Sequence, residues 1–210
     1  MGITVEHWGL IAYEKALQQQ KDVVKLVQQR VTPSTMVFCE HPTVITKGRN
    51  SSDSHILMSE DELYERKIHV VPIHRGGDVT LHNANQLIGY LIFHLSDFKE
   101  DLHWFLRSIE ECIIEIIAEF GVAGHQQEGL TGVWIDGERK ICAIGIHCSQ
   151  WVTSHGFALN VCNDLSEFDT IVPCGIADKT VTSISKELGR EVSLEEVLPI
   201  AEKIFKKKFA

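Results

Sequence analysis

Helix-like segments at both ends of the chain, with strand-like segments grouped between them, most constrain its fold. From Leu10 to Arg30, apolar residues recur at helical spacing. Near the other end, Ser193 and Glu196 form a capping-box pattern that begins a last predicted helix. This helix ends in Lys206–Lys208, whose charges suit the negative end of a helix dipole, with a partner-binding patch as the alternative. Because the strands are grouped between helices, the sequence predicts an α+β or mixed α/β domain.

Apolar patterning and turn residues predict the elements between these two helices. In chain order they are strands at Thr35–Glu40 and Val44–Thr46, a helix at Ser59–Arg66, a buried strand at Ile68–Ile73, a strand at Leu87–Leu95, a helix at Asp101–Phe120, strands at Gly132–Ile135 and Lys140–His147, and a strand at Trp151–Val161. The pair Asp136-Gly137 is a strong signal for a hairpin turn. Gly121 is expected to end the long helix.

The composition is ordinary for a soluble globular protein and argues against two classes of function. A length of 210 residues suits one domain spanning residues 1–210. The net charge of −9 argues against a nucleic-acid binder, because phosphate contacts need a basic excess. Glu115 and Glu119 interrupt the longest apolar stretches, which stay far short of the roughly 20 residues that span a membrane. We therefore expect neither nucleic acid nor a membrane as a partner.

The cysteines and the N-terminal residues indicate a reducing compartment. The six cysteines, with neither a CxxC pair nor a regular framework spacing, are Cys39, Cys112, Cys142, Cys148, Cys162 and Cys174. The segment Met1–Leu10 lacks the basic and apolar regions of a secretion signal. Free thiols and a cytoplasmic location are the expectation.

Three segments carry residues with chemical potential. Arg75-Gly76-Gly77 follows a predicted strand, and adjacent glycines allow a close approach of the backbone to a ligand. Taken alone, such a pair is more often a simple turn. The segment is neither a GxGxxG motif nor a P-loop, so nucleotide binding is weakly supported. Lys140 begins a predicted strand, where an isolated lysine is normally a surface residue. Cys174 lies in a Pro-Cys-Gly turn, whereas the other five cysteines have the apolar or strand-like contexts of core residues.

Together these segments resemble one family, the lipoyl(octanoyl) transferases, which load octanoate from acyl carrier protein onto lipoyl domains. The positions that match its signature are Arg75, Gly76, Gly77, Thr80, His82, Gln86 and Tyr90. Its other elements correspond to Arg139–Ile141 with Ala143–Gly145, His155–Asn160, and Pro173–Gly175. His41-Pro42, Gly48-Arg49 and Val181–Ile184 also agree, so that the resemblance extends from about residue 36 to residue 188.

The resemblance implies an acyltransferase with a cysteine–lysine pair. Cys174 is expected to carry the acyl thioester, and Lys140 to lower the pKa of that thiol. A free cysteine is only about 3% thiolate at pH 7, and a neighbouring lysine can raise that fraction and shuttle the proton. The implied substrate-binding residues are Arg75, Gly76, Gly77, Asp78, Val79, Thr80, Leu81, His82, Ala143, Ile144, Gly145, Gly156, Phe157 and Ala158. Small residues there suit a flat-walled slot for an eight-carbon chain.

The resemblance also implies a fold and partners. The fold would be a central mixed sheet flanked by helices, like the catalytic domain of biotin and lipoate protein ligases. The donor would be octanoyl-acyl carrier protein, and the acceptors lipoyl domains of 2-oxoacid dehydrogenase E2 subunits and the glycine cleavage H protein. The reaction would be the first step of protein lipoylation, with no cofactor and no metal.

The chain departs from the family in one loop. Where the family has His-Gly-Pro-Gly/His-Gln, this chain has His82-Asn83-Ala84-Asn85-Gln86, and Leu81 replaces a usual aromatic residue. Because asparagine tolerates left-handed backbone, Asn83 and Asn85 are expected to preserve the path of the loop. His147 occupies a position where arginine is common.

Four alternative functions are also compatible with the sequence. An ATP-dependent lipoate or biotin protein ligase shares the expected fold, and a thiol amidotransferase would acylate the same cysteine from a protein donor. A zinc-binding scaffold would use Cys142, His147, Cys148 and His155, although these lack paired ligand spacing. The altered loop also allows a binding protein without catalytic activity.

Overall fold

The computed structural model describes residues 2–172 and 179–210. Its helices are α1 (Tyr13–Gln28), α2 (Glu60–Glu65), α3 (Leu102–Ala118), α4 (Ile184–Leu188) and α5 (Leu194–Phe209). Its strands are β1 (Thr4–Leu10), β2 (Thr35–Glu40), β3 (Val44–Lys47), β4 (His69–Pro72), β5 (Val79–His82), β6 (Gln86–Ile92), β7 (His125–Gln127), β8 (Leu130–Ile135), β9 (Arg139–Ser149), β10 (Val152–Asn160) and β11 (Thr180–Val181).

A large mixed sheet forms the centre of the molecule. Within the described ranges its strand order is β1-β2-β6-β10-β9-β8-β7, and β11 adds beside β9. The pairs β1–β2 and β11–β9 are parallel, and the other neighbours are antiparallel. A second, smaller sheet has the order β4-β3-β5. The predicted mixed sheet flanked by helices is therefore confirmed, whereas the second sheet was not anticipated.

The two faces of the large sheet are covered by different helices. On one face, α1 buries Ala16 and Val27 against the sheet residues Val37, Ile88 and Ile92. On the other face, α3 and α5 build the larger core, which their apolar stripes make possible. No helix in residues 2–172 or 179–210 has the length and apolar character needed to cross a membrane.

Local sequence signals explain several element boundaries. Ser59 and Glu62 form the predicted capping box of α2, with the Ser59 N–H donating to a Glu62 oxygen at 2.8 Å. In the β8–β9 hairpin, Asp136 and Gly137 have φ angles of 51° and 71°. Positive φ at both central positions is the geometry that an Asp-Gly turn favours.

Other predicted boundaries were wrong. The first helix begins at Tyr13, because the preceding residues form the unpredicted edge strand β1. The strand predicted as buried at Ile68–Ile73 is β4, an edge strand of the smaller sheet, in which His69 and Pro72 are exposed.

The predicted burial of the cysteines was also partly wrong. Of the five cysteines expected in the core, Cys148 and Cys162 are only partly buried.

Candidate active site

A cavity of about 280 Å³ lies over the α1-covered face of the large sheet, next to the 75–82 segment. It is lined by all the predicted substrate-binding residues except Gly76 and Leu81, and Lys140 also lines it. Leu81 instead points into a separate apolar cluster with Ile45 and Phe168. Gly76 pairs through its backbone, its N–H donating to Ile146 O at 3.0 Å. The structure thus brings the predicted residues together around one space.

The sheet forms the floor of this cavity through two rows of side chains. Each row runs from β6 through β10 to β9. The rows are Ile88, Ala158 and Ala143, and Tyr90, Gly156 and Gly145. A Cβ atom on Gly156 would lie 2.0 Å from Gly89 O, and one on Gly145 would lie 3.0 Å from Gly76 O. The close backbone contacts therefore require glycine at Gly156 and leave little room at Gly145.

The Arg75-Gly76-Gly77 segment is held in place by β3 and the loop that follows it. The Arg75 guanidinium donates to both the backbone oxygen and the hydroxyl of Thr46 at 3.0 Å. A Cβ on Gly48 would lie 2.2 Å from Gly77 O, so the two loops meet backbone to backbone. Residues 79–82, for which no strand was predicted, form the strand β5, because they pair with β3.

A chain of hydrogen-bonded amide groups determines which ring nitrogen of His82 carries the proton. Asn160 Nδ2 donates to Thr182 O at 2.9 Å, so Asn160 Oδ1 faces Gln86 Nε2 and accepts from it at 2.8 Å. Gln86 Oε1 is then the acceptor for His82 Nδ1–H at 2.9 Å. Burial, reinforced by the nearby His41, lowers the pKa of His82 to about 3. His82 is consequently neutral at physiological pH, and its ring stacks on Tyr13 at 5.9 Å.

Tyr90 is held by a second buried contact. Its hydroxyl donates to His41 Nε2 at 2.7 Å, and His41 Nδ1–H donates to Ile11 O at 2.7 Å. Burial raises the pKa of Tyr90 well above its ordinary value. The Tyr90 hydroxyl and both ring nitrogens of His41 thus have hydrogen-bond partners within the protein. Tyr90 therefore presents a fixed aromatic ring to the cavity.

Lys140 lies at the side of the cavity where β9 begins. The residue is buried, with 6% of its surface exposed, and its ammonium lies 4.5 Å from the centre of the Trp134 ring. The segment after residue 178 runs alongside it: Val181 pairs with Lys140 in parallel, and Thr182 N–H donates to Lys140 O at 3.0 Å. The predicted nucleophile Cys174 lies outside the described residues, as do its neighbours Pro173 and Gly175.

The departures from the family pattern have separate outcomes. Asn85 has the predicted left-handed backbone, with φ of 65°, whereas Asn83 does not. Asn83 is buried and acts through its side chain, which donates to Asp164 O at 2.8 Å and to a Glu167 oxygen at 2.7 Å. His147 accepts a hydrogen bond from Arg49 at 3.2 Å, so an arginine from another element lies beside it.

Sequence reasoning missed part of the cavity wall. The additional lining residues are Tyr13, Asn50, Ile88, Gly129, Leu130, Thr131 and His155. The sequence could have indicated Ile88, because it lies two residues from both Gln86 and Tyr90 and so shares their face of the strand. Tyr13 had no such signal, because its helix meets the cavity only in the folded chain. Among residues 2–172 and 179–210, no three His, Cys, Asp or Glu side chains are grouped to hold a metal ion, so the zinc alternative has no site there.

Comparison with known proteins identifies the family. A model of the lipoyl protein ligase A/B catalytic domain matches residues 12–206. The octanoyltransferase of Cytophaga hutchinsonii is 45% identical, covering 93% of this chain and 87% of its own. Those of Koribacter versatilis and Solibacter usitatus are 44% and 46% identical, covering 97% and 90% of this chain and 82% and 84% of their own.

Solved structures agree on the fold. The chain is similar to a bipartite lipoate protein ligase of Thermoplasma acidophilum, with a TM-score of 0.78 and 16% identity, covering 99% of this chain and 84% of that one. It is equally similar to a lipoate-protein ligase A solved with ATP, with a TM-score of 0.78, 13% identity and coverage of 99% and 85%. The chain therefore belongs to the lipoyl protein ligase A/B catalytic-domain family, and within it is an octanoyltransferase.

Proposed function

We propose that this octanoyltransferase takes its acyl group from octanoyl-acyl carrier protein and passes it to a lysine of a lipoyl domain through a thioester on Cys174. The observation that carries the proposal is the cavity itself, which joins a floor of small residues to a buried Lys140. Its floor, made of uncharged and mostly small residues, suits an alkyl chain. Its volume of about 280 Å³ suits a small acyl group.

The proposed reaction has two acyl exchanges. The Cys174 thiolate attacks the donor thioester, forming a new C–S bond, and the donor thiolate leaves with a proton from the Lys140 ammonium. The acceptor amine then attacks the Cys174 thioester, forming the C–N bond of an amide. Cys174 leaves as a thiolate while the proton lost by the amine returns to Lys140. Both groups thereby regain their starting protonation.

The position of β11 supports this pairing of residues. Val181 and Thr182, a few residues after Cys174, lie directly beside Lys140. On the other side of Cys174, Val172 N–H donates to His55 O at 2.8 Å. The described chain is thus held by backbone hydrogen bonds on both sides of residues 173–178, and on the C-terminal side it lies beside Lys140.

Lipoyl domains are the proposed acceptors, both those of 2-oxoacid dehydrogenase E2 subunits and the glycine cleavage H protein. One of the similar structures is a lipoate protein ligase studied with its E2 lipoyl domain. We further propose that residues 1–210 act as one catalytic domain in the cytoplasm. The described cysteines are free thiols, which a reducing compartment would maintain.

A transfer assay distinguishes this proposal from an ATP-dependent ligase activity. The ligase remains an alternative because the chain shares its fold with a lipoate-protein ligase A solved with ATP. Purified protein is mixed with a lipoyl domain and either octanoyl-acyl carrier protein or free octanoate, with and without ATP and magnesium. Intact mass reports octanoylation of the domain. We expect modification from the carrier-protein donor in the absence of ATP. Modification from free octanoate only, and only with ATP, would assign the protein to the ligases instead.

A further inference from the structure

The two rows of side chains on the cavity floor change abruptly in size at one strand. On β9 and β10 the four floor residues are alanine or glycine, whereas on β6 the same rows end in Ile88 and Tyr90. Adjacent strands lie about 4.8 Å apart, so β9 and β10 give a smooth strip about 10 Å wide. Lys140 lines the β9 side of this strip. An acyl chain whose carbonyl reacts near Lys140 therefore extends across the sheet toward β6.

The β6 side of the strip is rigid. Tyr90 is fixed by the hydrogen bond from its hydroxyl to His41 Nε2, at 2.7 Å. Beyond Ile88 and Tyr90, the next positions of the rows are Cys39 and Val37 on β2, both fully buried. The stacked rings of Tyr13 and His82 also line this part of the cavity. In both rows a buried residue of β2 therefore lies directly behind the β6 residue.

We infer that Ile88 and Tyr90 form the end wall that sets the length of the acyl chain. The inference rests on the proposed acyl transfer and adds the determinant of its specificity. The wall acts sterically: a chain that fits between Lys140 and β6 is accommodated, and a longer one has to displace buried residues. Ile88 is the adjustable part, because its side chain is aliphatic, whereas Tyr90 is bound to His41.

Ile88→Ala tests the wall. Transfer to a lipoyl domain is measured with octanoyl- and decanoyl-acyl carrier protein, and the ratio of kcat/KM for ten carbons to that for eight is compared with the parent. Each buried methylene favours binding by roughly fourfold, so admitting two more should raise the ratio about tenfold or more. Ile88→Val, which shortens the wall less, should give a smaller rise. This second variant keeps the test valid if Ile88→Ala folds poorly.

Leu87→Ala is the matched control. Leu87 is the neighbouring residue of β6 and is equally buried, but it belongs to the core on the opposite face of the sheet. It should lower stability without changing the chain-length ratio. In the opposite direction, Ala158→Val places bulk on the strip and should shift preference toward six carbons.

The outcomes are distinguishable. A ratio that rises in both Ile88 variants and stays at the parental value in Leu87→Ala supports the wall. A ratio unchanged in the Ile88 variants, or raised equally in Leu87→Ala, overturns it while leaving acyl transfer intact. A parent protein that transfers no acyl group from either donor refutes the proposed function, and the wall with it.

Discussion

Lys140 lies buried at the β9 side of the cavity, beside the Trp134 ring. In the proposed reaction it has two separable roles. Its positive charge stabilises the Cys174 thiolate, and its proton moves to the donor thiol and returns from the acceptor amine. Arginine keeps the charge but does not release a proton in proteins, so it can replace lysine only in the first role.

Lys140→Arg should therefore retain much of the reactivity of the thiol toward a neutral alkylating reagent while losing acyl transfer. Lys140→Ala should lose both, and the pH dependence of its alkylation should move upward toward that of a free thiol. Both quantities are measured on the same preparations, by alkylation rates from pH 6 to 9 and by transfer rates. If Lys140→Arg transfers octanoate nearly as fast as the parent, the proton-transfer role is wrong and only the electrostatic role survives.

Two buried histidines should make stability depend on pH. Burial lowers the pKa of both His82 and His155 to about 3, whereas a histidine in the unfolded chain titrates near 6.5. As pH falls below 6.5, the unfolded state gains protons that the folded state does not bind. The free energy of unfolding should then fall by about 2 kcal/mol per histidine between pH 7 and pH 5.

His82→Asn and His155→Asn should each remove about that much of the decrease. Asparagine can replace the Nδ1–H donor of His82, and it tolerates the left-handed backbone of His155, whose φ is 59°. Urea unfolding at pH 7, 6 and 5 gives the measurement. His103→Asn, an exposed position on α3, is the control and should leave the decrease unchanged. An equal decrease in the parent and in both buried-site variants would contradict the assignment.

At the scale of elements, the floor of the cavity depends on contacts between backbones. Gly156 faces Gly89 O across β10 and β6, and a Cβ there would meet that oxygen at 2.0 Å. Backbone atoms inside a paired sheet have little freedom to move away. Glycine at position 156 is therefore required by packing alone.

Gly156→Ala should lower the free energy of unfolding by roughly 1–3 kcal/mol or more, as overpacking does. Gly76→Ala is a suitable comparison, because its added Cβ would have its nearest contact, Ile146 O, at 3.5 Å. It should stay within about 0.5 kcal/mol of the parent. Urea midpoints followed by circular dichroism measure both. Equal stability of the Gly156→Ala protein and the parent would show that β6 and β10 can separate more easily than the structure indicates.

The elements that were predicted correctly from the sequence are those whose structure is determined by residues close together in the chain. The α2 capping box and the Asp136-Gly137 turn depend on residues within four positions of one another. The strands β1, β5 and β11 were missed because each exists through pairing with a distant segment, as β5 does with β3. The site shows the same division. The resemblance indicated Lys140 and residues 143–145, but Tyr13 reaches the cavity only because α1 packs on the sheet.

In the whole molecule, each of the two sheets forms a different part of the site. The large sheet supplies the floor and Lys140, and the small sheet holds the 75–82 segment over it through β3 and β5. Arg75 ties that segment to Thr46 of β3. The small sheet therefore contributes to the wall of the cavity whose floor the large sheet forms. This arrangement brings a motif at residue 75 and a lysine at residue 140 to the same cavity.

The proposed function depends most directly on the acylation of Cys174. The direct measurement is the intact mass of the protein after mixing with octanoyl-acyl carrier protein, followed by peptide mapping. We expect one octanoyl group, located on Cys174. It should be absent from Cys174→Ala and still present in Cys148→Ala and Cys162→Ala, which remove the two partly buried thiols. An octanoyl adduct that persists in Cys174→Ala, or that maps to Cys148 or Cys162, would contradict the proposal.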